Sequence, residues 1–351
     1  MICPRKLFGP GLVVVLALTL AGTRPVSSRE PQNLSQEPQA PPAQGGPAIR
    51  SSVELVVVPV TVKDARGGLV SDLSRDEFRV FEDGVEQRLS LFSVEAFPLS
   101  AVIAVDDDLK PKSSELVRKS LITFAAGFSE SDEVALGRFD AFYTPLLDFT
   151  TDNDQLLTQL KRVDLNQRFS SGSQAFTPSP TMNGQPSNPV SVAQASNRVG
   201  MTTKHINDAV FQAAMLLRAR DTQRRKMVIL VSDGTNAKNN THSYEETLRL
   251  LLSSNISVYS VGVDSATILR GTTLLSRYAH STGGDVYYAL RPATLPQFYA
   301  RVTEQARHQY TLGYVPAETD RSKPYHTIEV RIRRSGLTLL TRDGYYSGAR
   351  P

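Results

Sequence analysis

A run from Leu99 to Val105, apolar except for Ser100, stops abruptly at Asp106-Asp107-Asp108, and a second apolar run, Met227 to Val231, stops at Ser232-Asp233-Gly234. Short continuous apolar runs bounded by charge suit strands buried on both faces, the situation of strands in a parallel sheet covered by helices. Such a sheet binds ligands outside the carboxyl ends of its strands. The two runs therefore fix both a fold class and a place for a site, with carboxylates delivered to one edge.

The remainder of the chain agrees with this class. From Pro98 strand and helix patterns alternate. Leu116, Val117, Leu121 and Phe124 recur at helical spacing after Ser113-Ser114 and before Gly127, and Val134–Phe139 and Tyr143–Phe149 read as a strand pair. Thr151 stands as a cap before a helix carrying Leu156, Leu157 and Leu160. Ile206 to Leu217 and Leu248 to Leu252 read as further helices, Ile256 to Val263 as a strand, and Phe298 to Ala306 as a last helix. Strand and helix in regular alternation predict a doubly wound sheet.

Both flanks read as β-structure. Val53–Val62 is β-branched, Phe78–Phe81 and Leu89–Val94 alternate around the turn signal Asp83-Gly84, and Tyr310, Leu312, Tyr314 and Ile328, Val330, Ile332 alternate near the other end. Strands on both sides of an α/β centre predict one small β-sandwich built from both ends, with the α/β domain inserted. Its parts are 50–97 and 308–348, and the α/β domain spans 98–307 with a flexible, polar insertion at 166–199.

Residues 1–28 read as a secretory signal: Arg5 and Lys6 precede a short apolar run, Leu12–Ala21, followed by small residues. Residues 29–49, rich in Pro, Gln, Gly and Ala, read as a disordered linker. The folded part is expected to be secreted or to lie in the periplasm or cell envelope, with membrane attachment only if the signal stays uncleaved. Loss of the signal removes Arg5, Lys6 and Arg24 and no acidic residue, so the formal charge of +4 falls close to neutral, which gives no case for nucleic acid. The single cysteine, Cys3, lies in the signal, which leaves no disulfide and no thiol nucleophile beyond it.

Several stretches, LVVVPVTVKDARGG, DEFRVFEDGVEQ, DEVALGRFD, KMVILVSDGTN, ISVYSVGVD, YAHSTGGDVYY, QYTLGYVP and IEVRIRRSGLTLLTRDGYY, are spread along residues 50–348. Taken together they resemble the von Willebrand factor type A domain family, in particular a bacterial exported group of such domains seen largely in Acidobacteria. The resemblance implies a Rossmann-like, doubly wound domain inserted in a β-sandwich, and a metal-ion-dependent adhesion site at the C-terminal sheet edge. In that site a D-x-S-x-S loop, a Thr from a second loop and an Asp from a third hold Mg²⁺ or another divalent cation, and a partner's carboxylate completes the shell.

This chain keeps Asp106 at the first position and Asp233 in the third loop, but Asp108 and Lys110 stand at the two Ser positions. The segment Met201-Thr202-Thr203-Lys204-His205 puts Lys204 at the ligand Thr, with Thr203 in place only after a one-residue shift. The expected site is therefore a degenerate one: Asp106, Asp108, Asp233 and Thr203 as metal ligands, modified by Lys110 and Lys204. Three carboxylates in one cleft repel unless a cation joins them. Two sources meet that demand, a divalent metal with Asp108 in place of a hydroxyl, or the ammonium groups of Lys110 and Lys204; charge balance favours the lysines.

The expected function is a non-enzymatic, protein-binding adhesion or scaffold module whose partner presents a carboxylate or an acidic surface. Two alternatives remain at this stage. VIAVDDDLK also matches the opening of haloacid dehalogenase-like phosphatases, with Asp106 as nucleophile, Asp108 as acid/base and Ser232 at the end of a later strand, and a purely structural envelope component would need no site. No G-x-S-x-G occurs, and His205, His242, His280, His308 and His326 are expected to be solvated or packed. Tyr310, Tyr314, Tyr345 and Tyr346 are expected in packing and Arg331, Arg333 and Arg334 on a solvated strand face.

Overall fold

The computed structural model describes residues 55–125, 127–163, 165, 204–271, 273–289, 294–316 and 323–347, together with the backbone of two short strands between 166 and 203. The signal at 1–28, the linker at 29–49, most of the insertion at 166–199 and Thr203 lie outside the described residues.

The chain first forms β1 (Val56–Lys63), β2 (Phe78–Glu82), β3 (Val85–Gln87) and β4 (Leu89–Ser93). The α/β part follows as β5 (Leu99–Asp106), α1 (Pro111–Ala125), β6 (Glu133–Phe139), β7 (Tyr143–Thr150), α2 (Asn153–Arg162) and the two-residue strands β8 (Thr181–Met182) and β9 (Gln185–Pro186). It continues through α3 (Ile206–Arg218), β10 (Arg225–Ser232), α4 (Tyr244–Ser253), β11 (Ile256–Gly262), α5 (Leu274–Ser281), β12 (Val286–Tyr288) and α6 (Leu295–Arg307). Last come β13 (Tyr310–Tyr314), β14 (Tyr325–Ile332), β15 (Thr338–Thr341) and β16 (Gly344–Tyr346).

The central sheet has the order β12-β11-β10-β5-β6-β7, parallel except for β7, which closes one edge antiparallel to β6. Alternation along β5 explains how it is covered on both sides. Leu99, Ala101, Ile103 and Val105 pack with α1, α2 and α6, through Val117, Leu121, Leu156, Leu160, Tyr299 and Val302. Val102 and Ala104 pack on the opposite face with α3, α4 and α5, through Val210, Leu217, Leu251 and Leu275. Each large aliphatic side chain so buried contributes about 1.5–3 kcal/mol relative to exposure.

The sandwich pairs a sheet of order β15-β1-β13-β4 with one of order β16-β14-β2-β3, and Val58, Val60, Phe78, Val80, Tyr310, Leu312, Tyr314, Ile328 and Tyr345 fill the space between them. Strands from the two ends interleave: β1 lies between β15 and β13, and β14 between β16 and β2. The α/β domain is thus inserted in a sandwich that neither end builds alone. Arg225, at the start of β10, ties the two parts together by donating to the Gln309 side chain and carbonyl, each at 2.7 Å.

Three local expectations change. The Asp83-Gly84 turn joins β2 to β3, whereas the run at Leu89–Val94 is β4 of the opposite sheet, paired with β13; the chain crosses between sheets after Gln87, which alternation alone cannot reveal. Asp152, not Thr151, caps α2, because its carboxylate reaches two free amides, those of Asp154 at 2.9 Å and Gln155 at 3.1 Å. Helix α1 starts at Pro111, ahead of Ser113-Ser114, since proline's fixed φ and missing donor suit a first helical position.

The expectation for the tyrosines holds in detail, with Tyr310, Tyr314 and Tyr345 buried and Tyr346 half-buried. Arg331 is exposed and pairs with Glu329, and Arg334 reaches Asp72 and Glu77. Among the described residues no helix is long and apolar enough to cross a membrane.

Candidate functional site

Reading the central sheet from its other edge gives strands in the order third, second, first, fourth, fifth, sixth, so that chain direction across the sheet reverses between β5 and β10. A crevice forms at such a reversal, outside the carboxyl ends of the strands. The parallel register sets Val105 beside Val231, which brings Asp106 level with Ser232 at the rim of that crevice.

Asp106 is fully buried, and both of its carboxylate oxygens are occupied. Oδ1 accepts the Asp108 amide at 2.9 Å, and Oδ2 accepts the Ser232 hydroxyl at 2.7 Å and lies 3.2 Å from Lys204 Nζ. One residue beyond Ser232, Asp233 turns its Oδ2 to the same ammonium at 2.8 Å, while its Oδ1 accepts the Thr235 amide and hydroxyl at 2.9 and 2.7 Å. Gly234 makes this turn possible: its φ is +79°, and a Cβ there would sit 3.0 Å from Thr273 Cγ2.

Lys204 itself is 3 % exposed. Its carbonyl accepts the Ala237 amide at 2.7 Å, and the following amides are held by Asp140 O at 2.7 Å and Asn236 Oδ1 at 2.8 Å, which anchors the entry to α3 between two loops of the sheet edge.

Electrostatics follow from this packing. Burial pushes the Asp106 carboxyl up to about 6, against the pull of Lys204 and the Ser232 hydroxyl. Burial also opposes charge on Lys204 and Asp233, but the contacts outweigh it: the carboxylates hold Lys204 above its ordinary value, and Lys204 with Thr235 holds Asp233 below its own.

Of the other expected site residues, Thr203 lies outside the described residues, and the side chains of Asp108 and Lys110 do not join the ion pairs of Lys204. Asp108 is exposed and contributes its amide to Asp106, so the three carboxylates do not converge; beyond the last paired residue of a strand the chain turns, and alternation no longer places side chains. Lys110 is exposed just ahead of α1 and is absent from the ion pairs of the crevice. Asp107, nearly buried, pairs with Arg138 at 3.2 Å.

Sequence reasoning gave Ser232 a place only in the phosphatase alternative and missed Thr235 and Ser265; the Ser265 hydroxyl donates to the Asp233 carbonyl at 3.1 Å. An acidic residue followed by Gly-Thr does signal a local side-chain turn; nothing in the sequence points to Ser265. It also missed Asp208, which accepts the His242 amide and meets its Nδ1 at 2.9 Å, with His205 Nδ1 at 3.4 Å.

With Lys204 in place, the oxygens of Asp106 and Asp233 that face the crevice are already committed to hydroxyl, amide and ammonium donors. This donor set does not suit a divalent cation. Among the described residues no group of three or more His, Cys, Asp or Glu side chains is arranged to hold a metal ion. The phosphatase pairing also lacks support, because Asp106 is closed off from solvent whereas Asp108 is exposed.

Fold and site together define a doubly wound α/β domain, inserted in a β-sandwich, with an ammonium-bridged pair of carboxylates at its switch point. No family model matches the chain, and no curated protein matches it. Among solved structures, it is similar to a von Willebrand factor type A protein from Catenulispora acidiphila, at 8% identity over 85% of this chain and 76% of that one, with a TM-score of 0.44. It is also similar to proximal thread matrix protein 1 from the mussel byssus, at 16% identity over 63% of this chain and 49% of that one, with a TM-score of 0.41. A third likeness is to the conserved hypothetical protein BatB from Bacteroides thetaiotaomicron, at 12% identity over 59% of this chain and 99% of that one, with a TM-score of 0.39. Likenesses this distant carry no functional argument.

Proposed function

We propose that the chain is an exported, non-enzymatic protein-binding module that works through the C-terminal edge of its central sheet, with Lys204 standing where a resident divalent cation would sit. The observation that carries this reading is the Lys204 ammonium between Asp106 and Asp233, at 3.2 and 2.8 Å. An internal cation fixes the edge loops without metal, so recognition falls to the surface around the crevice.

That surface has the chemistry of an interface. Phe142 is 73% exposed and Ile268 83%, on the loops after β6 and β11, which flank the crevice on either side. A partner that covers them would remove this apolar surface from water. Lys110, Lys112, Lys238 and Arg270 are exposed on the same edge alongside Asp108. A rim with this excess of cations selects a partner presenting acidic groups.

Titration calorimetry with Mg²⁺ and Mn²⁺ tests the first half: wild type stays silent and Lys204→Thr binds, whereas wild-type binding abolished by Asp233→Ala overturns the lysine-for-metal reading. The second half is tested by capture from an exported fraction. A partner retained by wild type should be lost with Phe142→Ser and with Lys110→Glu, and an interaction untouched by either substitution would place the binding surface elsewhere.

A further inference from the structure

At the opposite end of the central sheet, where Asp285 precedes β12, a cleft of about 310 Å³ lies between the turn after β1 and helix α6. Its floor is a closed polar network. Lys63, the last residue of β1, is paired with Asp285; Asp285 Oδ2 also accepts the Gln305 amide at 3.2 Å, and Gln305 Oε1 accepts the Tyr287 hydroxyl at 2.6 Å. These groups satisfy one another, so the floor is rigid and its lysine charge is neutralised.

The walls differ. On one side the Asp64 carboxylate accepts the Arg66 and Gly68 amides, each at 2.8 Å, and Gly67 takes a φ of +78°, which fixes the turn that carries Arg66 into the cleft lining. On the other side α6 contributes Arg301 and Glu304. Among the described residues neither guanidinium makes an ion pair or a side-chain hydrogen bond, and Arg301 is not paired with Glu304 three residues on. Leu69 and the Tyr287 ring complete the lining.

The cleft therefore offers two unengaged guanidinium forks from facing walls, one carboxylate, and apolar surface between them. Its volume lies at the lower end of the range for small-molecule sites. Guanidinium forks match the planar oxygens of carboxylates and phosphates.

We propose that this cleft binds a small organic oxyanion, a molecule bearing carboxylate or phosphate groups on a carbon skeleton, held between Arg66 of the sandwich and Arg301 of the α/β domain. Glu304 accepts from hydroxyl groups of such a ligand and repels excess negative charge. Because the two arginines belong to different parts of the fold, the bound anion also braces one part against the other. The site is separate from the Lys204 crevice and stands or falls independently of it.

The test is titration calorimetry at low salt on the full chain with citrate, glucose 6-phosphate, inorganic phosphate and sulfate. Citrate or glucose 6-phosphate should bind, and which of the two binds tells carboxylate from phosphate recognition. Affinity should fall about tenfold or more in Arg66→Ala and in Arg301→Ala, the loss expected for one charge-assisted contact, and rise in Glu304→Gln. Both arginines are exposed, so circular dichroism should show unchanged folding in these variants. The proposal is overturned if neither organic anion binds, if binding survives both arginine substitutions, or if inorganic phosphate and sulfate bind as tightly as the organic ions.

Discussion

Replacing Lys204 by methionine isolates the contribution of the internal cation. At an effective dielectric constant of about 20, unit charges at the separations seen here, 3.2 and 2.8 Å, attract by about 5 and 6 kcal/mol. Desolvation of the ammonium offsets several kcal/mol of that sum, and removal of one member of a buried ion pair leaves a net loss of about 3–5 kcal/mol. The loss depends on pH. Without Lys204 the pull that lowers Asp106 is gone, so its carboxyl rises further above about 6, and only above that raised value does the variant hold two facing carboxylates without a counter-charge. Below the Asp106 value of about 6, that group is already protonated, and only the Asp233 contact remains to be lost, about 2 kcal/mol. The chain has no tryptophan, so unfolding is best followed by far-UV circular dichroism in urea, at about pH 8 and about pH 5. A Lys204→Met protein that matches wild type within about 0.5 kcal/mol at both pH values would refute the reasoning, since surface substitutions change stability by no more than that.

Asp106→Asn should alter the same profile in a different window. The folded-state value of Asp106, about 6, lies above its ordinary 3.8, so the folded protein holds this proton more tightly. Its contribution is fully present below about pH 4 and is lost as pH rises through about 6, up to about 3 kcal/mol in all. Asp233 is shifted the other way and contributes above 3.8, losing its contribution only as pH falls through its lowered folded value. The difference between wild-type and Asp106→Asn stability should therefore change between about pH 4 and 6 and be flat above it, as read from urea midpoints; a flat difference throughout would show that Asp106 is not shifted. Gly234→Ala should destabilise by about 1–3 kcal/mol, from the left-handed backbone and the contact at 3.0 Å with Thr273, and lower the thermal midpoint by several degrees. An unchanged midpoint would mean that the turn after β10 tolerates a side chain.

The parts of this fold that could be read in advance are those where side-chain period and burial coincide. Leu99–Val105 and Met227–Val231 are apolar on both faces because both faces are covered, so sheet and helices followed from the pattern. Position along a strand also brought Asp106 and Asp233 to one edge. Past the strand ends no period operates, which is why Asp108 and Lys110, adjacent in sequence to a ligand position, lie at the surface, while Lys204, about a hundred residues away, reaches the carboxylates. Asp152 and Thr151 are both competent caps by residue type, and only the backbone turn chooses between them. The crossing of the chain from β3 to β4 belongs to the same category: strand content is local information, whereas the choice of sheet is made by partners more than two hundred residues distant, such as Leu312 beside Phe92.

That separation has a kinetic consequence. Val60 pairs with Tyr310 on one side and with Thr341 on the other, so β1 acquires neither neighbour until almost the whole chain is available. The contacts of the inserted domain span much shorter loops, and short loops close first. The domain should therefore fold while β1 waits with both edges open, an apolar, β-branched segment of the kind that recruits other chains. The sandwich closes last, once β13 and β15 are both available. A copy truncated before β13 would leave Val56–Val62 without either neighbouring strand, an open apolar edge prone to aggregation.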